Sequence, residues 1–156
     1  MIPEAEFIRR EFTVREMDFP ESITLTKKSL LRWVCLNLGL ISKNETRDKA
    51  IAIIDVLFTF IFTKKDNPTT LEIKAELEKK YKIKTSEKLI RYHLNRLIEL
   101  NILERKNNKY YINPSPNSEK RNSLSKSYAA WVKKQIEIET SKTVNALDKL
   151  QKSYEG

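Results

Sequence analysis

DNPTTLEIKAELEKKYKIKTSEKLIRYHLNRLIELNILERKNNKYYIN, residues 66–113, is the stretch on which the reading of the fold turns. It opens on a turn at Asp66-Asn67-Pro68, and Thr69-x-x-Glu72 follows as a capping box, predicting a helix to Tyr81. Leu71, Ile73 or Lys74, Leu77 and Tyr81 would mark its inner stripe. Lys82-Ile83-Lys84 then links to Thr85-Ser86, good N-cap residues for a helix running to Leu100. On that helix Ile90, Leu94, Leu97, Ile98 and Asn101 share one side, while Lys88, Arg91, Tyr92, Asn95 and Glu99 share the other. The second side is polar, mostly donor-bearing and free of core duties. Ile102–Arg105 and Tyr110–Asn113 read as two short strands joined by Lys106-Asn107-Asn108-Lys109, where asparagines tolerate positive φ.

Outward from this block the patterns are simpler. Residues 1–28 scatter Phe7, Ile8, Phe12, Val14, Met17 and Phe19 among charges and break at Pro20, predicting an extended arm with one strand near Phe12-Thr13-Val14. Residues 29–65 read as a helical pair packing on the core. The first helix covers roughly 27–38, with Thr26 as N-cap and Gly39 just past its end. The second follows a capping box at Ser42-x-x-Glu45 and runs to Lys64-Lys65. Its run Ala50–Phe62 is too short, and with Asp55 too polar, to span a bilayer, so it reads as a buried helix. Residues 114–123, PSPNSEKRNS, have the composition of a linker. Residues 124–156 form a long helix in which Val132, Ile136, Thr140, Thr143, Leu147, Leu150 and Tyr154 recur at spacings of three and four. Such a stripe needs a partner: its own copy in a homodimer, through Val132, Ile136, Leu147 and Leu150, or the helices of residues 27–63.

The 156 residues carry 30 Lys+Arg against 21 Asp+Glu, a net charge of +9. The excess is uneven, being zero over residues 1–63, +6 over 64–113 and +3 over 114–156. A polyanionic partner is expected, and its footprint falls on the middle block. Two glycines, one cysteine and one histidine leave no Gly-rich phosphate loop, disulfide framework or Cys/His zinc cluster, so no metal or cofactor is expected. His93 has no acid or nucleophile at a suggestive spacing, and the chain reads as a non-enzyme. Cys35 reads as a small core hydrophobe, and Trp33 and Trp131 as packing anchors. No signal-type apolar run opens the chain, which places it in the cytoplasm, associated with the nucleoid. The Lys- and Ile-rich composition suits an archaeal source.

The middle block resembles the winged helix-turn-helix superfamily of prokaryotic transcription regulators. The resemblance covers residues 66–113, about a third of the chain, and is most specific in HLNRLIELNILER, residues 93–105, where Asn101 stands in place of the usual glycine. It implies a winged helix-turn-helix core with a small β-hairpin wing, which with the N-terminal helical pair and the long C-terminal helix read above makes a mainly α fold. It also implies that Thr69 to Tyr81 support, Ser86 to Leu100 read DNA, and Arg105 to Lys109 form the wing. Arg and Asn make bidentate contacts to guanine and adenine edges, so Arg91 and Asn95 are the base-reading candidates. Ser86, Lys88 and Tyr92 would contact phosphates, and Arg105, Lys106, Asn107, Asn108 and Lys109 would position the duplex. Glu87 and Glu99 lie near this face and oppose phosphate. The expected function is sequence-specific binding of double-stranded DNA by a dimeric transcription regulator. The alternative is a winged-helix scaffold that assembles proteins.

Overall fold

The computed structural model describes residues 1–44 and 49–156. The chain is mainly helical: α1 (Lys27–Asn37), α2 (Lys49–Phe58), α3 (Thr70–Tyr81), α4 (Glu87–Glu99), α5 (Leu124–Tyr128) and α6 (Lys134–Glu155), with a two-stranded antiparallel sheet of β1 (Leu103–Lys106) and β2 (Lys109–Ile112). Two π turns, Thr59–Thr63 and Ala129–Lys133, extend α2 and join α5 to α6 into one long rod.

α2 is the centre of the fold because it is apolar all round. Every residue from Ala50 to Leu57 is buried, Asp55 included. Each Ile, Val or Leu taken fully out of water there stabilises the fold by roughly 1.5–3 kcal/mol. α1, α3 and α4 pack around it, with Cys35, Ile73, Leu77, Ile90, Leu94 and Leu97 turned inward. The expected inner stripe of α3 needs correction. Thr70, Ile73 and Leu77 are buried, whereas Leu71 is exposed, because a turn of 3.6 residues sets 70, 73 and 77 on one line. Tyr81 is only part-covered and spends its hydroxyl on Asp55.

Local chemistry sets the ends of the elements. Thr26, Thr69, Ser86 and Ser123 each accept from a backbone N–H in the first turn that follows, and Thr69 with Glu72 forms the full capping box. The box read at Ser42 and Glu45 falls partly outside the described residues. The strand boundaries shift by one residue. Asn107 and Asn108 both take positive φ, 51° and 65°, so the hairpin closes with a two-residue turn of the twist-matched kind and the pairing extends to Lys106↔Lys109.

The N-terminal arm forms no strand. Residues 3–7 and 21–25 are short 3₁₀ turns, and the stretch between them lies against the end of α1 with no sheet edge to join. There Arg15 ties the arm to the end of α1 and the turn beyond it, its N–H donating to Asn37 O (3.0 Å) and its Nη1 to Leu36 O (2.9 Å) and Ile41 O (2.8 Å), while Asn37 Nδ2 donates to Arg15 O. Gly39, at φ 71°, admits this approach: a Cβ on it would lie 2.7 Å from Thr13 Cγ2. Trp33 donates to Asp18 O and packs its ring on Phe19, with centroids 4.8 Å apart.

The C-terminal rod serves two purposes along its length. Leu124, Tyr128, Val132 and Ile136 fold back onto the core of their own chain, which corrects the assignment of Val132 and Ile136 to a dimer face. α6 itself has no buried residue; Leu147 is 59% exposed, Leu150 53% and Tyr154 85%.

Candidate nucleic-acid interface

α4 has the amphipathic division its sequence demands. Ile90, Leu94 and Leu97 are fully inside, and this burial fixes the rotation of the helix, leaving Ser86, Lys88, Arg91, Tyr92 and Asn95 exposed. Tyr92 is 72% exposed, with its ring edge-on to that of His93 at 5.3 Å between centroids. Lys88 and Arg91 have no ion pair among the described residues. Lys88, Arg91, Tyr92 and Asn95 therefore come together on one open face, while Ser86 caps the start of the helix and accepts from the Leu89 N–H.

Glu99, the acid expected to oppose phosphate, is partly neutralised. Arg96 Nη1 lies 3.6 Å from its carboxylate, and Asn95 Nδ2 donates to Oε1 at 2.8 Å. Asn95 is thus held by its own helix in the free protein, and base reading would require it to exchange this partner. Arg96 also reaches Thr13 Oγ1 of the arm, and Arg10 Nη1 donates to Glu99 O, so the arm is anchored at the C-terminal end of the exposed face.

The hairpin residues Arg105, Lys106, Asn107, Asn108 and Lys109 are all exposed at its tip. Arg105 lies over the Tyr110 ring and donates weakly to Asn108 Oδ1, and Lys106 pairs with Glu104 at 3.2 Å. Neither Arg105 nor Lys109 has an ion pair among the described residues, and of the two only Arg105 is held by a ring contact and a hydrogen bond. The hairpin is tied down twice. Tyr110 is fully buried with its hydroxyl 3.1 Å from Thr70 Oγ1, and its N–H donates to Pro68 O. Thr69 forms an isolated bridge with Lys109, which ties the segment before α3 to the start of β2. The role of Tyr110 as the buried anchor was missed in the sequence, although its alternation with exposed Lys109 was a visible signal.

Asp55 was also missed as a polar centre. Burial pushes its carboxyl up, but hydrogen bonds from Tyr81 and Lys80, with the charges of Lys80 and Lys27, outweigh that and hold it below the ordinary carboxylate range. Its partners come from the end of α3, so this group fastens α3 to α2. Burial pushes the Cys35 thiol up to about 12, which leaves it an inert core group as expected. Cys35 lines an almost wholly apolar cavity of about 380 Å³ between α1, α2 and α5, with Leu31, Val34, Phe58 and Tyr128 among its walls.

Among the described residues no group of His, Cys, Asp and Glu could hold a metal ion, and no helix is long and apolar enough to cross a membrane. No family model matches the chain, and no curated protein or solved structure matches it.

Proposed function

We propose that residues 66–113 form a winged helix-turn-helix and that the protein binds double-stranded DNA in a sequence-specific manner, as a homodimeric regulator of transcription. The observation that carries this reading is the exposed face of α4. Lys88, Arg91, Tyr92 and Asn95 stand there together with no packing role, in the segment that holds a charge excess of +6. An α-helix fits the major groove, and Arg91 and Asn95 are the side chains of this face able to read base edges. Lys88 and Lys109 are unpaired cations suited to phosphate. The order of helix, helix and anchored hairpin, joined by Asn101 at φ 63°, supports the winged-helix assignment.

The test is a fluorescence-anisotropy titration of random-sequence duplex at two salt concentrations, with Lys88→Glu/Arg91→Glu alongside. Micromolar binding that weakens steeply with salt and disappears in the variant is the expected result. On the specific site, Arg91→Ala and Asn95→Ala should relax sequence preference, whereas Lys106→Ala/Lys109→Ala should weaken all duplexes equally and flatten the salt slope. Wild-type protein that fails to bind at low salt would overturn the reading and favour a protein-assembling scaffold.

A further inference from the structure

Away from the α4 face, two helices bring four cations around one cleft. Lys27, Lys28 and Arg32 of α1 and Lys80 of α3 line a cavity of about 370 Å³ that also includes Asp55 and Ile83. Asp55 is already engaged, accepting from Lys80 Nζ at 3.0 Å and from the Tyr81 hydroxyl. Lys27, Lys28 and Arg32 have no ion pair among the described residues. Four cations against one carboxylate leave the cleft with a formal charge of +3.

The position of the lysines is informative. Lys27 and Lys28 are the first two residues of α1, whose first turn contains no acid. The N-terminal end of a helix is its positive pole, so two ammonium groups there work against helix stability. Local departures from the stability rules of this kind are expected at functional positions. The cleft also leads somewhere. Ile83 lines it and equally lines the next depression, which reaches Lys84 and Ser86, the N-cap of α4.

We infer that this cleft holds DNA backbone phosphates flanking the segment read by α4, extending the footprint onto α1. The inference rests on the duplex-binding reading of α4. Lys28 offers a mobile point charge and Arg32 a planar fork that can grip two phosphate oxygens. The Asp55 carboxylate is spent on Lys80 and Tyr81 and faces the charge of Lys27, which leaves Lys28 and Arg32 free to attract an anion.

The experiment is anisotropy of the full chain on duplexes of about one and about three helical turns, ~10 and ~30 base pairs. Wild type is compared with Lys28→Glu/Arg32→Glu and with Lys134→Glu/Lys149→Glu, a control of equal charge change on the polar side of α6. On the long duplex the first variant should bind at least tenfold more weakly and show a salt slope shallower by about 2, as for two lost phosphate contacts. Its affinity for the short duplex, and the control's for both, should stay within twofold of wild type. Its thermal midpoint should equal or exceed wild type, since an acid replaces a lysine in the first turn. An unchanged affinity and slope on the long duplex would overturn the inference alone, provided that Lys88→Glu/Arg91→Glu still abolishes binding. An equal loss in the control would also overturn it, by showing a net-charge effect. Wild type that binds neither duplex would remove both this inference and the reading beneath it.

Discussion

Asp55 is the residue at which sequence and structure are furthest apart. In the sequence it is a lone acid that argues against a membrane span; in the fold it is 8% exposed and joins α2 to Lys80 and Tyr81. Its partners lie 25 and 26 residues away, beyond the reach of any periodicity argument. Because its folded pKa lies below the unfolded value of about 3.9, the unfolded chain takes up the proton first as pH falls. Its stabilisation should therefore be complete above about pH 5 and be lost as pH drops through the folded pKa. Urea denaturation as a function of pH should show wild-type stability falling more steeply below pH ~4 than that of Asp55→Asn. Parallel curves would remove Asp55 from the acid response. Cys35 and the faces of α4 were legible, because burial of a small thiol and a 3.6-residue period are local properties.

At the scale of elements the caps were the readable features. Thr69 with Glu72, and Ser86 before α4, make the bonds that their residue types advertise. The hairpin was readable in kind and misjudged in length, because composition does not say whether two or four residues close it. The junction of α4 with the hairpin turns on Asn101, whose φ of 63° no β-carbon-bearing residue but Asn or Asp holds easily. Asn101→Ala should destabilise the protein by about 1 kcal/mol, whereas Asn101→Gly should stay within about 0.5 kcal/mol of wild type. Chemical denaturation measures both, and an Ala variant as stable as wild type would show that the turn relaxes at no cost. The arm was the poorest reading, since its extended residues found carbonyls at the end of α1 and in the turn beyond it instead of a strand, and only tertiary structure reveals such partners.

For the molecule as a whole, the sequence showed where charge accumulates but not which surfaces it reaches. The zero balance of residues 1–63 concealed the cleft cations of α1, because the acids that cancel them in the count do not pair with them among the described residues. The C-terminal rod divided in a way no stripe predicts, its first part as far as Ile136 facing its own core and the stretch from Thr140 onward exposed. If those residues meet a second copy, Leu147→Lys/Leu150→Lys should reduce the mass by light scattering to one chain of 18.4 kDa without altering the melting of the core. A wild type already of that mass would exclude the homodimer. The exposed stretch of residues 140–155, about 24 Å long, sits barely above the length at which a solitary helix survives in water. Its coiling and uncoiling therefore answer to whatever occupies that flank, so that the circular dichroism of a dilute solution and of a crowded one need not agree, and the end of the chain becomes a gauge of the company it keeps.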